Sequence, residues 1–366
     1  MTESAVTKEN LKSICANLSK AEIKAMIKEL SEYLAEQKFE ELLSSDVLHC
    51  TKCGSTKLIK YGFEHGRQRY RCKECGRTVS ETTGTFFYHS RVSKDTWLKF
   101  IDCELSEMSL SEEKYYTHLS IKTLYFMRHK LYKAIDHVME QEVLSSEVEV
   151  DSGYFKINLK GTQPENMPRM SKKRGGGSTY RGISHHKVCV AMAIDDEDHM
   201  LMQIVGLGEE TFDKYLSQID HFQEVNKVIS DSRASIQQFA NAIGAEAEQI
   251  VPSATGTKRY TTESGKSLGD LNELIEGFRT DTKKYKGIAT RYLQLYLNFY
   301  LYRKKLRYTV KREGMAEVIL KAVGGEEFVR QFDLMKQEMP ISLQEAYYEF
   351  QYGIFSPDRM KDQHLN

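Results

Sequence analysis

The sequence predicts a multidomain protein in which a cysteine-rich module and a helical segment precede an α/β domain with a helical C-terminal region. This prediction rests on three observations: two CxxC pairs, helical periodicity over 93–140, and a change from Glu147 to the alternation of apolar and polar residues that is typical of strands. The 366 residues, 40% of them hydrophobic, are too many for one core. We expect five segments: a helical N-terminal segment (1–45), the cysteine module (46–90), a helix-turn-helix-like region (91–140), the α/β core (147–306) and a helical tail (307–366).

The charge of the chain is sorted into blocks. Basic and acidic residues number 52 each, so the net charge alone indicates no partner. Residues 46–100 carry eleven Lys or Arg against five acids, 156–187 carry eight against one, and 279–312 carry eleven against one. Solvated helix faces would explain any single block. Three blocks around the acids described below favour a polyanionic partner.

The short apolar runs disfavour a membrane protein, and the pattern of cysteines disfavours a secreted one. The longest apolar run, Val188–Ile194, is far short of a bilayer span, so we expect no membrane partner. The N-terminus lacks a basic start followed by an apolar stretch, which predicts no signal peptide. Seven cysteines, four of them in CxxC pairs, favour metal binding in a reducing compartment over disulfides. We therefore expect a cytoplasmic protein.

The cysteine module has the spacing of a structural zinc site. Each CxxC pair puts two thiolates on a tight turn, and a glycine follows each pair where such a turn needs a permissive backbone. The alternating segment between the pairs predicts a hairpin, and hence a zinc ribbon. Four thiolates leave no open position, so we expect a structural Zn²⁺ bound by Cys50, Cys53, Cys72 and Cys75. His49 and His65 are better explained as surface or packing residues.

Residues 93–140 predict three helices, of which the last two are arranged as a helix-turn-helix. The predicted bounds are Ser93–Glu104, Leu110–His118 and Ser120–Val138, with Ser120 capping the third helix. An ordinary helical hairpin would give the same pattern. Beside a basic ribbon, a recognition helix for DNA is the better interpretation, with outward-facing Lys122, Tyr125, Arg128 and His129.

The α/β core contains an aspartate within one strand and another at the end of a later strand. Asp151 lies in a Val148–Tyr154 strand, and Asp231 ends Lys227–Asp231. The element order is three strands, helix, strand, helix, strand, helix, which is that of an RNase H-like domain. The remaining predicted elements are strands Val188–Ile194, His199–Leu207 and Gln249–Val251, and helices Thr211–Val225 and Ala234–Gly244, ahead of a long helical region over 268–350.

The two aspartates predict a catalytic metal site. The first and fourth strands are adjacent in an RNase H-like sheet, so Asp151 and Asp231 can share a divalent cation. A third acid on the following helix would complete a site for two-metal phosphoryl transfer, with Mg²⁺ or Mn²⁺, two ions being expected. Each aspartate alone is explained as well by a cap or a turn. Their order along the chain favours the metal site.

Three residues of one helix are candidates for the third ligand. An apolar stripe predicts a helix from about residue 268, and a neighbouring polar stripe carries the candidates. Glu276 with Lys283 seven residues later would supply a metal ligand and a phosphate contact, and Asn272 with Arg279 offers the same spacing one turn earlier. Glu273 is a weaker candidate. A surface ion-pair stripe would also explain Arg279 and Lys283.

Together these residues resemble the ISXO-two-like group of zinc-ribbon insertion-sequence transposases with a DDE catalytic core. The similarity spans about residues 48–306, and no single motif carries it. The motifs are Gln68–Cys72, Thr83–Phe86, Arg128–Lys130, Glu149–Asp151 with Tyr154, Lys173–Gly176, Arg181–Ser184, Val188–Val190, Ser230–Asp231, Ile275–Phe278 and Gly287–Leu293. The chain departs from the family pattern at Ser152, where relatives carry an acid.

The resemblance implies Mg²⁺-dependent DNA cleavage and strand transfer. It implies Asp151, Asp231 and Glu276 as metal ligands, with Asn272 as an alternate third ligand. Water would attack at the element end, and the freed 3′-hydroxyl would then attack target DNA. We expect double-stranded DNA as partner, a homodimer or higher assembly on DNA, nucleoid association, and backbone contacts from Lys283, Arg279, Lys173, Arg174, Lys122 and Arg128. A domesticated, catalytically inactive DNA-binding protein and a host nuclease of the same fold are the alternatives.

Overall fold

The computed structural model describes residues 49–64, 67–80, 83, 86–88, 90–139, 142–161, 182–251, 261–323, 329–343 and 346. The predicted N-terminal helical segment, Lys173 and Arg174 lie outside the described residues. The described parts of 1–102 and 304–328 form one compact unit, and those of 103–303 and 329–366 form a second.

The cysteine module contains a three-stranded antiparallel sheet. Strands β1 (Leu58–Glu64) and β2 (Arg67–Cys72) form the hairpin that the sequence predicts, and β3 (Thr78–Ser80) pairs with β2. The sheet buries little apolar surface: Cys50, Cys72 and Val79 make its small core. A core of this size stabilises a fold weakly, so we expect a bound metal to contribute to the stability of this module.

Three helices follow the ribbon, as predicted: α1 (Lys94–Leu105), α2 (Leu110–Thr117) and α3 (Ile121–Met139). The Ser109 side chain accepts from the Glu112 N–H in a capping box that begins α2. Ser120 Oγ accepts from the Thr123 N–H at 3.1 Å, which confirms Ser120 as the cap of α3. The turn between α2 and α3 contains His118 in the left-handed conformation, with φ 58°.

The second unit contains a five-stranded mixed sheet. Its strands are β4 (Leu144–Lys156), β5 (Lys187–Asp195), β6 (Met200–Leu207), β7 (Phe222–Asp231) and β8 (Glu246–Ile250), in the order β6-β5-β4-β7-β8. The pairs β4–β5 and β5–β6 are antiparallel, while β7 runs parallel to β4 and β8 parallel to β7. The first and fourth strands of this sheet are therefore neighbours, as the sequence predicts.

Helices cover both faces of the sheet. The described helices after β6 are α4 (Phe212–Leu216), α5 (Ala234–Ala242), α6 (Gly269–Asp281), α7 (Leu293–Thr309), α8 (Met315–Ala322) and α9 (Gln331–Met335). Val148 and Val150 of β4 share a buried cluster with residues of α4 and α5. Alternate β4 residues point the other way, where Phe155 contacts Phe278 of α6.

Three predicted elements differ from the structure. The single helix predicted over Thr211–Val225 is wrong: α4 ends at Leu216, and β7 begins at Phe222 because it pairs with Leu144 of β4. The strand predicted at Gln249–Val251 is Glu246–Ile250, whose acids pair with Lys227 on β7. The long helical region is divided into separate helices by short turns.

Candidate functional site

The four module cysteines converge on one point. Cys50 Sγ lies 3.4 Å from Cys75 Sγ, Cys53 Sγ lies 3.6 Å from Cys72 Sγ, and all four sulfur atoms lie within 4.8 Å of one another. A tetrahedral Zn²⁺ with Zn–S bonds of about 2.3 Å separates its sulfur ligands by about 3.8 Å. The spacing of these sulfurs therefore fits one zinc ion, and the predicted convergence of the four cysteines is confirmed.

The backbone favours the thiolate form of Cys50 and Cys72, whereas burial and the neighbouring thiols raise the pKa of Cys53 to about 12. The Lys52 N–H donates to Cys50 and lowers the pKa of that thiol to about 6, and the Cys75 N–H lowers the pKa of Cys72 in the same way. Gly54 and Gly76 follow the pairs with φ of 70° and 71°, a conformation that other residues adopt at a cost. The turns are thus shaped to present metal ligands.

One face of the ribbon combines exposed aromatic rings with arginines. Tyr61 and Phe63 of β1 are exposed, Phe63 at 72%. The guanidinium carbons of Arg69 and Arg71 lie 5.8 and 5.4 Å from the centre of the Tyr61 ring. Rings and guanidinium groups of this kind suit contacts with bases and phosphates. The sequence analysis missed this surface, although the alternation of apolar and basic residues on β1 and β2 is its signal.

Helix α3 exposes some of the predicted recognition residues and buries others. Lys122 and Tyr125 are exposed, as expected. The prediction that Arg128 and His129 face outward is wrong, since they are 2% and 3% exposed. His129 lies against the rings of Tyr125 and Tyr292, and burial lowers its pKa to about 4.

Arg128 belongs to a buried ion-pair cluster. Its guanidinium donates to Glu104 and Glu113, and a third bond, from Nη2, runs to the Met108 carbonyl. The group also lies over the Tyr285 ring, 4.8 Å from its centre. The guanidinium is thus held by two carboxylates and a carbonyl and is shielded from solvent. Arg128 is a structural residue and is removed from the set of DNA contacts.

Asp151 and Asp231 lie on neighbouring strands. Glu149 of β4 pairs with Ile229 of β7 in parallel register, and two further residues along each strand are Asp151 and Asp231. Because side chains alternate along a strand, both aspartates share the sheet face of Glu149 and Ile229. That face carries α6, since the Leu271 N–H donates to Glu149 Oε2 at 3.0 Å.

The surroundings of Asp151 disfavour its charged form. Burial raises its pKa to about 6, and the charges of Asp231 and Glu210 act in the same direction. The Ser152 N–H donates to Asp151 Oδ1 at 2.7 Å and opposes the shift. A carboxyl group whose pKa is raised by burial and by neighbouring acids is typical of a functional site.

Asp231 and Glu210 both form ion pairs with Arg233, and the sequence analysis missed Glu210. Arg233 Nε lies 3.2 Å from Asp231 Oδ2 and 3.3 Å from Glu210 Oε1. The other oxygens, Asp231 Oδ1 and Glu210 Oε2, are buried and have no hydrogen-bond partner among the described residues. Buried oxygens without a donor are costly, and a divalent cation would satisfy them. Two consecutive acids directly after a strand are the only sequence signal for Glu210.

The candidate third ligands lie on the exposed side of α6. The Glu276 side chain is 68% exposed, and its Oε1 accepts from Arg279 Nη1 at 2.6 Å. Asn272, Glu273 and Lys283 are exposed as well. Within the described part of the chain, only the four cysteines form a group of three or more ligand atoms within 4.8 Å. Glu276 is therefore not assembled with Asp151 and Asp231.

Among the described residues, no helix is both long enough and apolar enough to cross a bilayer.

Comparison with known proteins gives one relative in sequence and several weak likenesses in structure. No family model matches the chain. An uncharacterized protein in transposable element ISH50 of Halobacterium salinarum is 30% identical over 161 residues. That stretch covers 42% of this chain and 52% of the relative, so the match spans about half the length of the relative.

The structural likenesses are to Mos1 complexes. A pre-cleavage Mos1 transpososome (9% identical) and a Mos1 transposase paired-end complex with left transposon end (10%) each align over 66% of this chain and 82% of theirs, with TM-scores of 0.19. A likeness at this TM-score carries no argument about function.

Proposed function

We propose that the protein is a transposase that binds the ends of an insertion sequence and catalyses metal-dependent DNA cleavage and strand transfer. The observation that carries the proposal is the pair Asp151 and Asp231, on one face of adjacent parallel strands. The buried Asp231 Oδ1, for which the described residues supply no hydrogen-bond donor, supports a cation at this place. The relative within a transposable element supports an element-borne protein.

The aspartates fit Mg²⁺ or Mn²⁺, which prefer carboxylate oxygens. Bound there, two such ions would activate the attacking oxygen and stabilise the leaving oxygen of a phosphodiester. Asp151 and Asp231 would hold the ions at the end of the sheet. The pairing of β4 with β7 extends to Glu149 and Ile229, and so places the two aspartates at matching positions two residues further along neighbouring strands.

Glu276 is our proposed third ligand, with Asn272 as the alternate. Helix α6 packs on the sheet face that carries both aspartates, and this supports a ligand from it. Glu276 now pairs with Arg279. Recruiting its carboxylate to a metal would release the Arg279 guanidinium for a DNA phosphate, so both predicted roles are compatible with one rearrangement.

DNA would be held by several basic surfaces. We assign base and backbone contacts to the Tyr61 face of the ribbon and to Lys122 on α3, and backbone contacts to Lys283 and Arg279. Lys173 and Arg174 remain in the proposal on sequence grounds alone. Zinc would act only in the fold of the ribbon. Since two element ends must be cut in concert, a homodimer or higher assembly on DNA follows from the proposed reaction.

The test is cleavage and strand transfer on DNA taken from the flanks of the gene, with Mg²⁺ or Mn²⁺. Wild type is compared with Asp231→Asn, Glu276→Gln and Asn272→Ala. Asp220→Asn, at an exposed acid of the turn Ile219–His221, is the matched control. We expect metal-dependent 3′-end cutting that Asp231→Asn abolishes without loss of DNA binding. Cutting by Asp231→Asn at the wild-type rate would contradict the assigned site.

The second candidate function is a domesticated DNA-binding protein without catalysis. The exposed, ion-paired Glu276 is the observation that favours it, because the third ligand is not assembled with the aspartates. Tight binding to the flanking DNA with no cutting under either metal would select this candidate. Loss of cutting in either Glu276→Gln or Asn272→Ala would select the transposase and identify its third ligand.

A further inference from the structure

We propose that Glu210 is an additional metal ligand of the Asp151–Asp231 site, positioned there by Arg233. This inference rests on the proposed function, because it adds a carboxylate to the same site. It also supplies a third acid for the site. Glu276 is exposed and paired with Arg279, whereas Glu210 and Asp231 both form ion pairs with Arg233.

The burial of Glu210 needs a physical reason. Its side chain is 4% exposed, and Oε2 is buried without a hydrogen-bond partner among the described residues. A carboxylate is rarely buried unless its oxygens are satisfied, since removing the charge from water is costly. Arg233 satisfies Oε1 only. A cation beside Oε2 would remove the remaining cost.

Arg233 lies between the two acids and supplies one positive charge, which is half the charge of the divalent cation that we propose. Its Nε lies within 3.3 Å of both Glu210 Oε1 and Asp231 Oδ2, so the two carboxylates face one positive charge. Each of them keeps one buried oxygen that has no hydrogen-bond partner in the described part of the chain. The two unpartnered oxygens and the carboxylate of Asp151 are of the type that a divalent metal prefers. The ligand atoms of these three acids do not all lie within 4.8 Å of one another, so the carboxylates would close around the ion as it binds.

The local backbone holds Glu210 in place. Its N–H donates to the Tyr154 hydroxyl at 3.4 Å, which ties the segment after β6 to β4. Lys214 Nζ donates to the carbonyls of Leu207 and Glu209 at 2.5 Å each, and so fixes the residues on either side of the turn. Anchoring of this kind is expected for a residue that must present a carboxylate at a fixed point.

Glu209 provides the matched control. It is the preceding residue, is also an acid, and lies 3.4 Å from Arg233 Nη1, but its side chain is 67% exposed. If Glu210 only balanced the charge of Arg233, substitution of either acid would have comparable, small effects. If Glu210 binds metal, only its own substitution changes metal affinity.

The test is Mn²⁺ binding to the full-length, zinc-loaded protein without DNA, by calorimetry and by the electron paramagnetic resonance of free Mn²⁺. Wild type is compared with Glu210→Gln, Glu209→Gln and Asp231→Asn, and thermal unfolding reports on folding. We expect Glu210→Gln to weaken Mn²⁺ binding at least tenfold, on the scale of losses at metal sites, and Glu209→Gln to stay within twofold. If Glu210→Gln does not fold, Glu210→Asp, which keeps the charge but retracts the oxygens, is expected to weaken binding similarly.

The outcomes separate the inference from the proposed function. Wild-type Mn²⁺ affinity in Glu210→Gln, with loss in Asp231→Asn, would overturn the inference and leave the transposase proposal in place. Loss of Mn²⁺ affinity in both variants, with no DNA cutting by wild type, would support the inference and overturn the catalytic function. Equal weakening in Glu209→Gln and Glu210→Gln would also overturn the inference, since it would indicate a general effect of charge.

Discussion

Arg128 Nε donates to Glu104 Oε1 at 2.5 Å in a place where the two side chains are 3% and 0% exposed. This pair links α1 to α3, and Glu113, which also accepts from Arg128, adds α2. A single buried guanidinium therefore joins all three helices. The sequence suggests that Arg128 is an outward-facing recognition residue. In the structure it is the centre of a buried ion-pair cluster in the helical region.

Replacing Arg128 with Met is expected to destabilise the protein by about 3–5 kcal/mol, because two carboxyl groups then remain buried without their cation. Urea unfolding measures the change. The DNA affinity of the fraction that remains folded should be within twofold of wild type. A variant of wild-type stability that binds DNA poorly would restore Arg128 as a DNA contact.

Lys122→Ala is expected to show the opposite behaviour. Lys122 is exposed at the start of α3, so its removal should change stability by less than about 0.5 kcal/mol. If it contacts a phosphate, affinity falls and the slope of log affinity against log salt decreases by about 1. Binding isotherms at four salt concentrations test this. An unchanged slope would exclude Lys122 from the interface.

Glu113 predicts a dependence of stability on pH. Burial, with the charge of Glu104, raises the pKa of Glu113 to about 8 in the folded protein. The folded state therefore binds this proton more tightly than the unfolded state. The resulting stabilisation is complete below pH 4.5, the ordinary value, and is lost as the pH rises through 8. Urea unfolding from pH 5 to 9 should show the decline, and Glu113→Gln should flatten it; an identical decline in that variant would assign it to other groups.

Zinc removal is expected to affect the ribbon selectively. Cys72→Ser should lose the single equivalent of zinc, measured by elemental analysis, because three thiolates cannot complete the cluster. Cys103→Ala, at a buried cysteine outside the cluster, is the control and should keep its zinc. Near-wild-type zinc in Cys72→Ser would contradict the ligand assignment.

Gly277→Ala is expected to displace α6. A methyl group there would lie 2.3 Å from the Tyr300 hydroxyl, which donates to the Leu274 carbonyl at 3.0 Å. Alanine favours a helix by about 1 kcal/mol over glycine, but overpacking a buried contact costs about 1–3 kcal/mol, so the clash prevails. We expect lower stability, restored by Tyr300→Phe, which removes the hydroxyl. A more stable Gly277→Ala protein would show that Tyr300 moves aside freely.

The fold was predictable where periodicity and spacing decide the structure. The CxxC spacing predicts the cysteine cluster, and 3.6-residue periodicity predicts α1 and α3. Helix α2 is not amphipathic, and its buried residues are Glu113 and Thr117. Residues 211–225 were not predictable, because Phe222 and Val225 fit an apolar helix stripe as well as a strand. Pairing of β7 with β4, a contact between distant residues, decides between them.

The site was predictable only in part for a related reason. Asp151 and Asp231 stand out because acids are unusual in buried strands, Asp151 lying within β4 and Asp231 at the end of β7. Arg128 has the spacing of an exposed recognition residue, and only Glu104 and Glu113, distant in sequence, reveal its burial. Glu210 lies in a turn without periodicity, so its convergence with Asp231 becomes visible only through Arg233.

The packing of α3 against α7 has a consequence for where DNA would be cut. His129 contacts Tyr292, the Tyr132 ring stacks on Phe299 with centroids 4.0 Å apart, and Asn298 donates to Asp136 Oδ1. Helix α3 thus packs within the unit that carries Asp151 and Asp231. Under the proposed function, we expect a constant number of base pairs between the DNA sequence that α3 would contact and the scissile phosphate. Moving that sequence would then move the cut by the same number of base pairs.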